Sequence, residues 1–360
     1  MRICVLGAAS SAHVVARAKV FETFGHEVTL LSPATGDALG LETKYCARDG
    51  QGKLAWLKSI YDAVKWADAD IFHAHYAAEL TTWMASILGK RPLVITVMGG
   101  DVLFDEQGSL GPVGRWLTKR AILKADLVTV KSPMLGDVVA SWGVPKDRIM
   151  NIVWGVDGRV FAPDTDGAKQ RRSDWGVQAD DKILFSPRML KPLYNQVLMV
   201  EALAQIPNAI LVLSTYQEDQ TYRTEVEAKA KALNVLDRVK FVPALSMTDM
   251  SASYCAADVI LSLPPSDGTP QSVMEAMACG APVVQTDLDR FKPLFAHQES
   301  CWFTHLNADA VAEGTNALLN DETLRTHISK TGRAVVLEKA DFESQAREVE
   351  TRLLTLVGQG

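Results

Sequence analysis

Cysteine is scarce and scattered in this chain: Cys4, Cys46, Cys255, Cys279 and Cys301 make five, an odd number with no paired spacing. That excludes a disulfide framework and a spaced zinc motif, and predicts reduced thiols lying mostly in the core. Long apolar runs are missing as well. No stretch approaches the ~18 residues of a membrane span, and the start MRICVLGAASS has neither a long apolar h-region nor a cleavage site, so a cytoplasmic location is expected. There is no excess of positive charge: the formal net charge of −6 argues against nucleic acid as a partner. The segment Gly7-Ala8-Ala9-Ser10-Ser11 lacks the three-glycine spacing of a dinucleotide fingerprint, although its small residues, Ser10 among them, can let backbone approach a phosphate.

What is present is the composition of an ordinary globular protein, at 360 residues too long for one core, so two domains are expected. Short apolar strands (RICVLG, HEVTLLS, ADIFHAH, RPLVITVMG, ADLVTVKS) alternate with helical patterns such as SAHVVARAKVFETFG, which predicts a parallel sheet covered on both faces. After VWGVDGRVFAPDTDG the alternation starts afresh with DKILFSPR, AILVLST, RVKFVPA and ADVILSLPP. The predicted class is therefore α/β, with two doubly wound, Rossmann-like halves. Pro, Gly and Asp cluster between Pro163 and Lys169, which places the halves at residues 1–163 and 164–340, with 341–360 closing the chain as an amphipathic helix. Ala-Asp stands before a strand at Asp70, Asp126 and Asp258, as repeated helix-to-strand joints would give. In GRWLTKRAILK, Arg115, Lys119, Arg120 and Lys124 surround Trp116, as a solvated face or as a contact for an anionic acceptor or membrane headgroups.

The most specific segment is Ser266 to Val284, SDGTPQSVMEAMACGAPVV. Thr269 reads as a helix N-cap and Pro270 as the first helical residue. Val273, Ala276 and Met277 recur at helical spacing toward a core, Gly280 supplies a left-handed stop, and Pro282 bars continuation into the next strand. The N–H groups of Gln271, Ser272 and Val273 have no intrahelical acceptor, and the helix dipole adds positive potential there, so a phosphate fits. Asp267 and Glu275 flank that tip and could accept hydrogen bonds from sugar hydroxyls. On these grounds alone a phosphate cradle and an ordinary strand–loop–helix unit weigh equally.

The order of the residues resembles the donor-binding signature of glycosyltransferase family 4, in which two acids stand eight positions apart and the second begins EAMACG-PVV. Asp267 takes the first place, where Glu is usual, and Glu275 the second. ASSAH, ADIFHAHY, VMGGD, GVPKDRI with WGVD, and FSPRMLKPLYN fall in the family's order, so the resemblance covers most of the chain. It implies the GT-B fold: two facing Rossmann-like domains, the first on the acceptor side and the second binding the donor, with the last helix packing back on the first. The implied reaction is transfer of a hexose from a nucleotide diphosphate sugar, a UDP-sugar being the guess. The sugar would go with retention to an acceptor hydroxyl in glycan, polysaccharide or glycolipid biosynthesis. The acceptor would be a glycan, a lipid-linked sugar or a small molecule, with peripheral membrane contact an option. No metal and no cofactor beyond the nucleotide sugar, as co-substrate, are expected.

Residue by residue, the resemblance assigns the ribose hydroxyls to Glu275, the transferred sugar to Asp267, and the diphosphate to the turn Gly268-Thr269-Pro270 and the amides of Gln271, Ser272 and Val273. Arg188, after the strand KILFSP, matches the cation that stabilises the departing diphosphate. Six residues beyond it the family has Lys and this chain has Tyr194, so Lys191, Tyr194 and Asn195 are the candidates to replace it. In the first half, Met98 stands where His or Trp is common, followed by Gly99 and Gly100, and Asp101 would orient the acceptor or the adjacent backbone. Arg188, Asp267 and Asp101 are thus the catalytic candidates. His13 matches a rim position, shared with cap or packing roles. His73 and His75 alternate on one strand, so their side chains share a face, and acceptor contact is expected of both. Asp68-Ala69-Asp70 imitates the metal-binding acids of the other glycosyltransferase fold, but its place before a buried strand marks it as a decoy. The departures at Met98 and Tyr194 keep a second reading open, a non-catalytic sugar-nucleotide-binding subunit with a degenerate site.

Overall fold

The computed structural model describes residues 1–46, 50, 52–104, 110–178, 180–268 and 270–358. They form two compact units, Met1–Trp154 with Glu343–Gly360, and Gly155–Phe342.

The first unit holds strands β1 (Arg2–Leu6), β2 (Glu27–Ser32), β3 (Glu42–Tyr45), β4 (Ile71–Ala74), β5 (Leu93–Val97), β6 (Leu127–Val130) and β7 (Ile149–Asn151). They make one parallel sheet in the order β3-β2-β1-β4-β5-β6-β7. Between them run α1 (Ala12–Thr23), α2 (Lys53–Trp66), α3 (Leu80–Ile87), α4 (Pro112–Lys124) and α5 (Pro133–Ser141). The central strands are apolar on both faces, as a sheet covered twice requires, and LVITV of β5 is buried throughout. Ser11 begins α1 by accepting the Val14 N–H on its Oγ.

The second unit repeats the plan with β8 (Lys182–Ser186), β9 (Ala209–Ser214), β10 (Val239–Val242), β11 (Val259–Ser262), β12 (Val283–Thr286) and β13 (Trp302–Thr304). Their parallel order is β10-β9-β8-β11-β12-β13. Its helices are α6 (Thr165–Asp174), α7 (Gln196–Leu203), α8 (Gln220–Ala232), α9 (Met247–Ala256), α10 (Gln271–Ala278), α11 (Ala308–Asn320) and α12 (Glu322–Lys339).

The recurring Ala-Asp has a physical cause. Asp70 accepts the Arg2 N–H at 2.7 Å, Asp126 that of Leu93 at 2.8 Å, and Asp258 that of Ile183 at 2.8 Å. Each carboxylate thus satisfies a backbone donor at the start of the neighbouring strand, and each also pairs with an arginine, Arg2, Arg91 or Arg172. Asp68 and Asp70 are both engaged by Arg2.

The first stretch of the first unit runs to Trp154, short of the expected boundary at Pro163. The intervening residues are tied into the second unit: Val156 bridges Asp341, the buried Phe161 ring packs against Tyr254, and the Cys255 thiol donates to the Ala162 carbonyl. Composition marks where the chain turns, whereas these long-range contacts decide to which core the turn belongs. The last helix, α13 (Phe342–Gly358), packs on the first unit through Ala346, Val349 and Leu353. Glu350 meets the His26 ring at 2.8 Å, and Gln345 accepts the Val153 N–H at 3.1 Å.

Candidate functional site

In the second unit the carboxyl ends of the adjacent strands β8 and β11 carry most of the donor-side candidates, where open parallel sheets bind ligands. Arg188 lies just past β8. Its Nη2 donates to Asp267 Oδ2 at 2.6 Å and its Nη1 to Ser272 Oγ at 3.1 Å, while the guanidinium carbon sits 4.4 Å from the centre of the Tyr194 ring. Burial opposes the charge, but Asp267 and Tyr194 more than offset it and hold the pKa above the usual arginine value. Tyr194 therefore occupies the family's lysine position as a face for the cation rather than as a second cation. Lys191 is half-buried and precedes the short turn Pro192–Tyr194 that delivers the ring. Asn195, expected to bind donor, has left-handed backbone (φ 57°) and donates through Nδ2 to the Leu263 carbonyl at 2.8 Å. That bond joins the loop after β8 to the end of β11.

The segment after β11 folds as α10, with one correction. Pro270 is the N-cap and Gln271 the first helical residue; Thr269, expected as the cap, lies outside the described residues. A proline costs nothing at the cap, because no intrahelical bond needs its missing N–H. The Pro270 carbonyl then accepts the Val273 N–H at 3.2 Å, so Val273 is removed from the expected cradle and Gln271 and Ser272 remain. Gly268 is buried in the preceding turn. Val273, Ala276 and Met277 are buried, and Gly280 ends the segment in left-handed conformation (φ 80°). Gln271 donates to the Gly155 carbonyl.

Glu275 is 8% exposed and accepts a hydrogen bond from the Tyr254 hydroxyl at 3.0 Å. Burial, and then the Glu275 charge, push the Tyr254 pKa far up, so Tyr254 stays a donor. Arg290, in the turn Asp289–Phe291, donates to the Asp267 carbonyl at 3.0 Å and to Ser266 Oγ at 3.4 Å. Sequence reasoning missed Tyr254 and Arg290. Neither lies in a motif, and each reaches the site only because α9 or the end of β12 is folded beside it.

The first-unit candidates divide differently. Asp101 is fully buried: Oδ1 accepts the N–H groups of Met98 and Gly99 at 2.9 Å each, and Oδ2 that of Ala77 at 2.8 Å. Burial raises its pKa against those three donors. These bonds tie the loop after β4 to the loop after β5, which makes Asp101 a positioning residue for that backbone. Gly99, at φ 122°, takes a backbone conformation open to glycine; Gly100 follows, half-buried. His73 and His75 do share a face, with ring centroids 4.2 Å apart, but that face is the interior. His73 is 0% exposed and uses one ring nitrogen on Thr96 Oγ1 at 2.9 Å. Burial lowers the His73 pKa to about 3 and that of His75 further below normal, which keeps both rings neutral. Ser10 and His13 are exposed around the start of α1, and Met98 is half-buried. No group of three or more His, Cys, Asp or Glu among the described residues could hold a metal ion.

Two family descriptions match along the sequence: Glycosyltransferase Family 4 over residues 10–160 and glycosyl transferases group 1 over residues 168–335. The chain belongs to glycosyltransferase family 4. Among family relatives, the N-acetyl-alpha-D-glucosaminyl L-malate synthase of Bacillus anthracis is 24% identical over 83% of this chain and 78% of its own length. A D-inositol 3-phosphate glycosyltransferase of Xylanimonas cellulosilytica is 25% identical over 74% and 67%. Anabaena HepE, solved with UDP and glucose, superposes with a TM-score of 0.86 at 18% identity, covering 99% of this chain and 100% of that one. Sucrose-phosphate synthase of Thermosynechococcus elongatus gives 0.84 at 20% identity, covering 100% of each. The fold is GT-B, and this family 4 protein is a glycosyltransferase enzyme that uses a nucleotide-sugar donor.

Proposed function

We propose that the second unit binds a UDP-sugar and that the enzyme transfers its hexose, with retention, to an acceptor hydroxyl. The observation that carries this reading is the convergence of Arg188, Asp267 and Ser272 at the tip of α10, with Glu275 one turn inside. In the donor complex the diphosphate lies against the Gln271 and Ser272 amides and the Arg188 guanidinium, so positive potential stands where charge develops on the leaving group. Glu275, oriented by Tyr254, takes the ribose hydroxyls. Asp267 exchanges part of its Arg188 contact for hydroxyls of the transferred sugar, and Arg290 steadies its loop. The acceptor attacks on the leaving-group face and passes its proton to a phosphate oxygen, which requires no protein nucleophile. The first unit takes the acceptor. The named relatives suggest hydroxy acids and phosphorylated polyols as the first acceptors to try.

The test is acceptor-dependent release of UDP from a UDP-sugar by purified protein, with the anomeric configuration of the product read by NMR. Donor binding without release across a broad acceptor panel would reduce the protein to a binding subunit.

The exposed stripe Val113, Trp116, Arg120 and Leu123 on α4, with Lys119 beside it, supports peripheral contact with anionic headgroups. Arg115 turns away from that stripe and donates to the Leu110 and Phe104 carbonyls. No helix among the described residues is long and apolar enough to cross a membrane. Co-sedimentation with anionic but not zwitterionic vesicles, lost in Trp116→Ser, tests this contact.

A further inference from the structure

Arg17 breaks the apolar face of α1. Val14, Val15, Ala18 and Phe21 around it are buried as the helical period demands, yet the charged residue among them is only 2% exposed. Among the described residues no carboxylate pairs with it. Its hydrogen bond runs from Nη1 to the Met98 sulfur at 3.2 Å, and its guanidinium carbon lies 5.0 Å from the Trp154 ring centre. A thioether is a weak acceptor and a ring face a weak counter-charge, so the guanidinium has lost water without gaining an anion. Burial lowers its pKa to about 9, which still leaves it charged near neutrality.

The groups around it share a deficit of acceptors. Both ring nitrogens of His75, Nδ1 of His73 and the Trp154 indole N–H are buried without a hydrogen-bond partner. A neutral imidazole has one N–H to give, an indole one, and a guanidinium five, so the cluster is rich in donors. The rings of His73, His75 and Trp154 pack on one another, with centroids 4.2 to 6.0 Å apart, which gathers these groups in one cluster. Trp154 holds left-handed backbone (φ 59°) while fully buried, a conformation that bulky residues rarely adopt. His75 directly follows β4 and Met98 directly follows β5, so the cluster lies at the carboxyl ends of neighbouring parallel strands. Excess positive charge and unused donors exclude a metal cation and call for an oxyanion.

We propose that Arg17, with His75 and the Trp154 indole beside it, binds one compact oxyanion, a phosphate or a carboxylate, carried by the acceptor. This rests on the reading that the first unit takes the acceptor. It restricts the acceptor to hydroxyl compounds bearing an anionic group, and places the specificity for that group on α1, outside the motifs of the sequence.

The experiment uses the full chain, its Arg17→Met and Arg17→Lys variants, and four probes: inorganic phosphate, glycerol 3-phosphate, glycerol and UDP. Phosphate and glycerol 3-phosphate are expected to raise the melting temperature of the unmodified protein at concentrations where glycerol does not. Arg17→Met should weaken phosphate binding at least tenfold by calorimetry and Arg17→Lys by less, with UDP stabilising all three proteins alike. Arg17→Lys carries the comparison if Arg17→Met does not fold. Phosphate binding unchanged in the variants, or absent from the unmodified protein, would overturn the site. Its source is read from UDP release with acceptors offered as neutral and phosphorylated pairs, such as glucose and glucose 6-phosphate. Release confined to the anionic members and inhibited competitively by phosphate supports an acceptor-borne group, whereas release with neutral members that phosphate leaves unaffected would make this a free-ion site and overturn the assignment. Failure of UDP to bind would count against the donor reading alone, since the phosphate measurement stands without it.

Discussion

The Arg188 guanidinium is held from two sides, by the Asp267 carboxylate at 2.6 Å and by the Tyr194 ring at 4.4 Å. The cation is thus oriented before any donor arrives, and the work of aligning it is done in folding rather than in the reaction. Its partner is the acid proposed to take the transferred sugar, so on that proposal donor binding redistributes an existing ion pair.

Replacing Arg188 by Ala should lower kcat by about 10²–10³, as removal of one preorganised donor does elsewhere, and weaken donor affinity less. Steady-state kinetics beside calorimetry with the donor check this. An unchanged kcat with a raised KM would mean that Arg188 contributes only uniform binding. Arg188→Lys should not rescue, because one ammonium cannot reproduce the fork that reaches both Asp267 and Ser272.

Tyr254→Phe removes the hydroxyl that donates to buried Glu275. A buried carboxylate that loses a donor costs about 1–3 kcal/mol, visible as a lower denaturation midpoint. Donor affinity should fall as well, since the acid loses the hydroxyl that helps to orient it. Normal affinity in Tyr254→Phe would show that Glu275 is oriented by other contacts.

Asp101→Asn leaves one oxygen to serve backbone donors that now use two, and turns an NH2 group toward others. Destabilisation of about 2–3 kcal/mol, by the cost of unsatisfied buried N–H groups, is expected from chemical denaturation, with UDP affinity unchanged. Activity lost at full stability would return Asp101 to a catalytic role.

Burial raises the Glu79 pKa from 4.5 to about 7. Between those values the folded chain keeps a proton that the unfolded chain has released, so this group's contribution to stability falls as pH rises through the window and is flat outside it. The slope is about 1.4 kcal/mol per pH unit. Glu79→Gln should remove it, so the stability difference between variant and parent grows from pH 4.5 to 7. Denaturant midpoints across that range measure the effect, and parallel curves would contradict it.

Local features were legible in the sequence. The turn, helix and stop at Gly268, Val273 and Gly280 follow from backbone preferences within one segment, and the alternation of strand and helix fixes two parallel sheets. What required the fold were relations between segments. The spacing of His73 and His75 puts both rings on one face, but in a sheet covered twice it does not say whether that face is a rim or a core. Asp101 reads as a catalytic acid until the three N–H groups it accepts are counted, one of them from Ala77 in another loop. Tyr254 and Arg290 come from a helix and a turn with no motif of their own, and Arg17 sits in a helix whose pattern asks for an aliphatic residue.

The central claim is that the second unit binds a uridine nucleotide through α10. It is tested most directly by titrating UDP into the purified protein and its Glu275→Ala variant in a calorimeter. The account predicts micromolar-range binding to the parent, weakened about tenfold or more in the variant, in line with loss of hydrogen bonds to a charged acceptor. Equal affinity in the two proteins, with the fold intact, would contradict it.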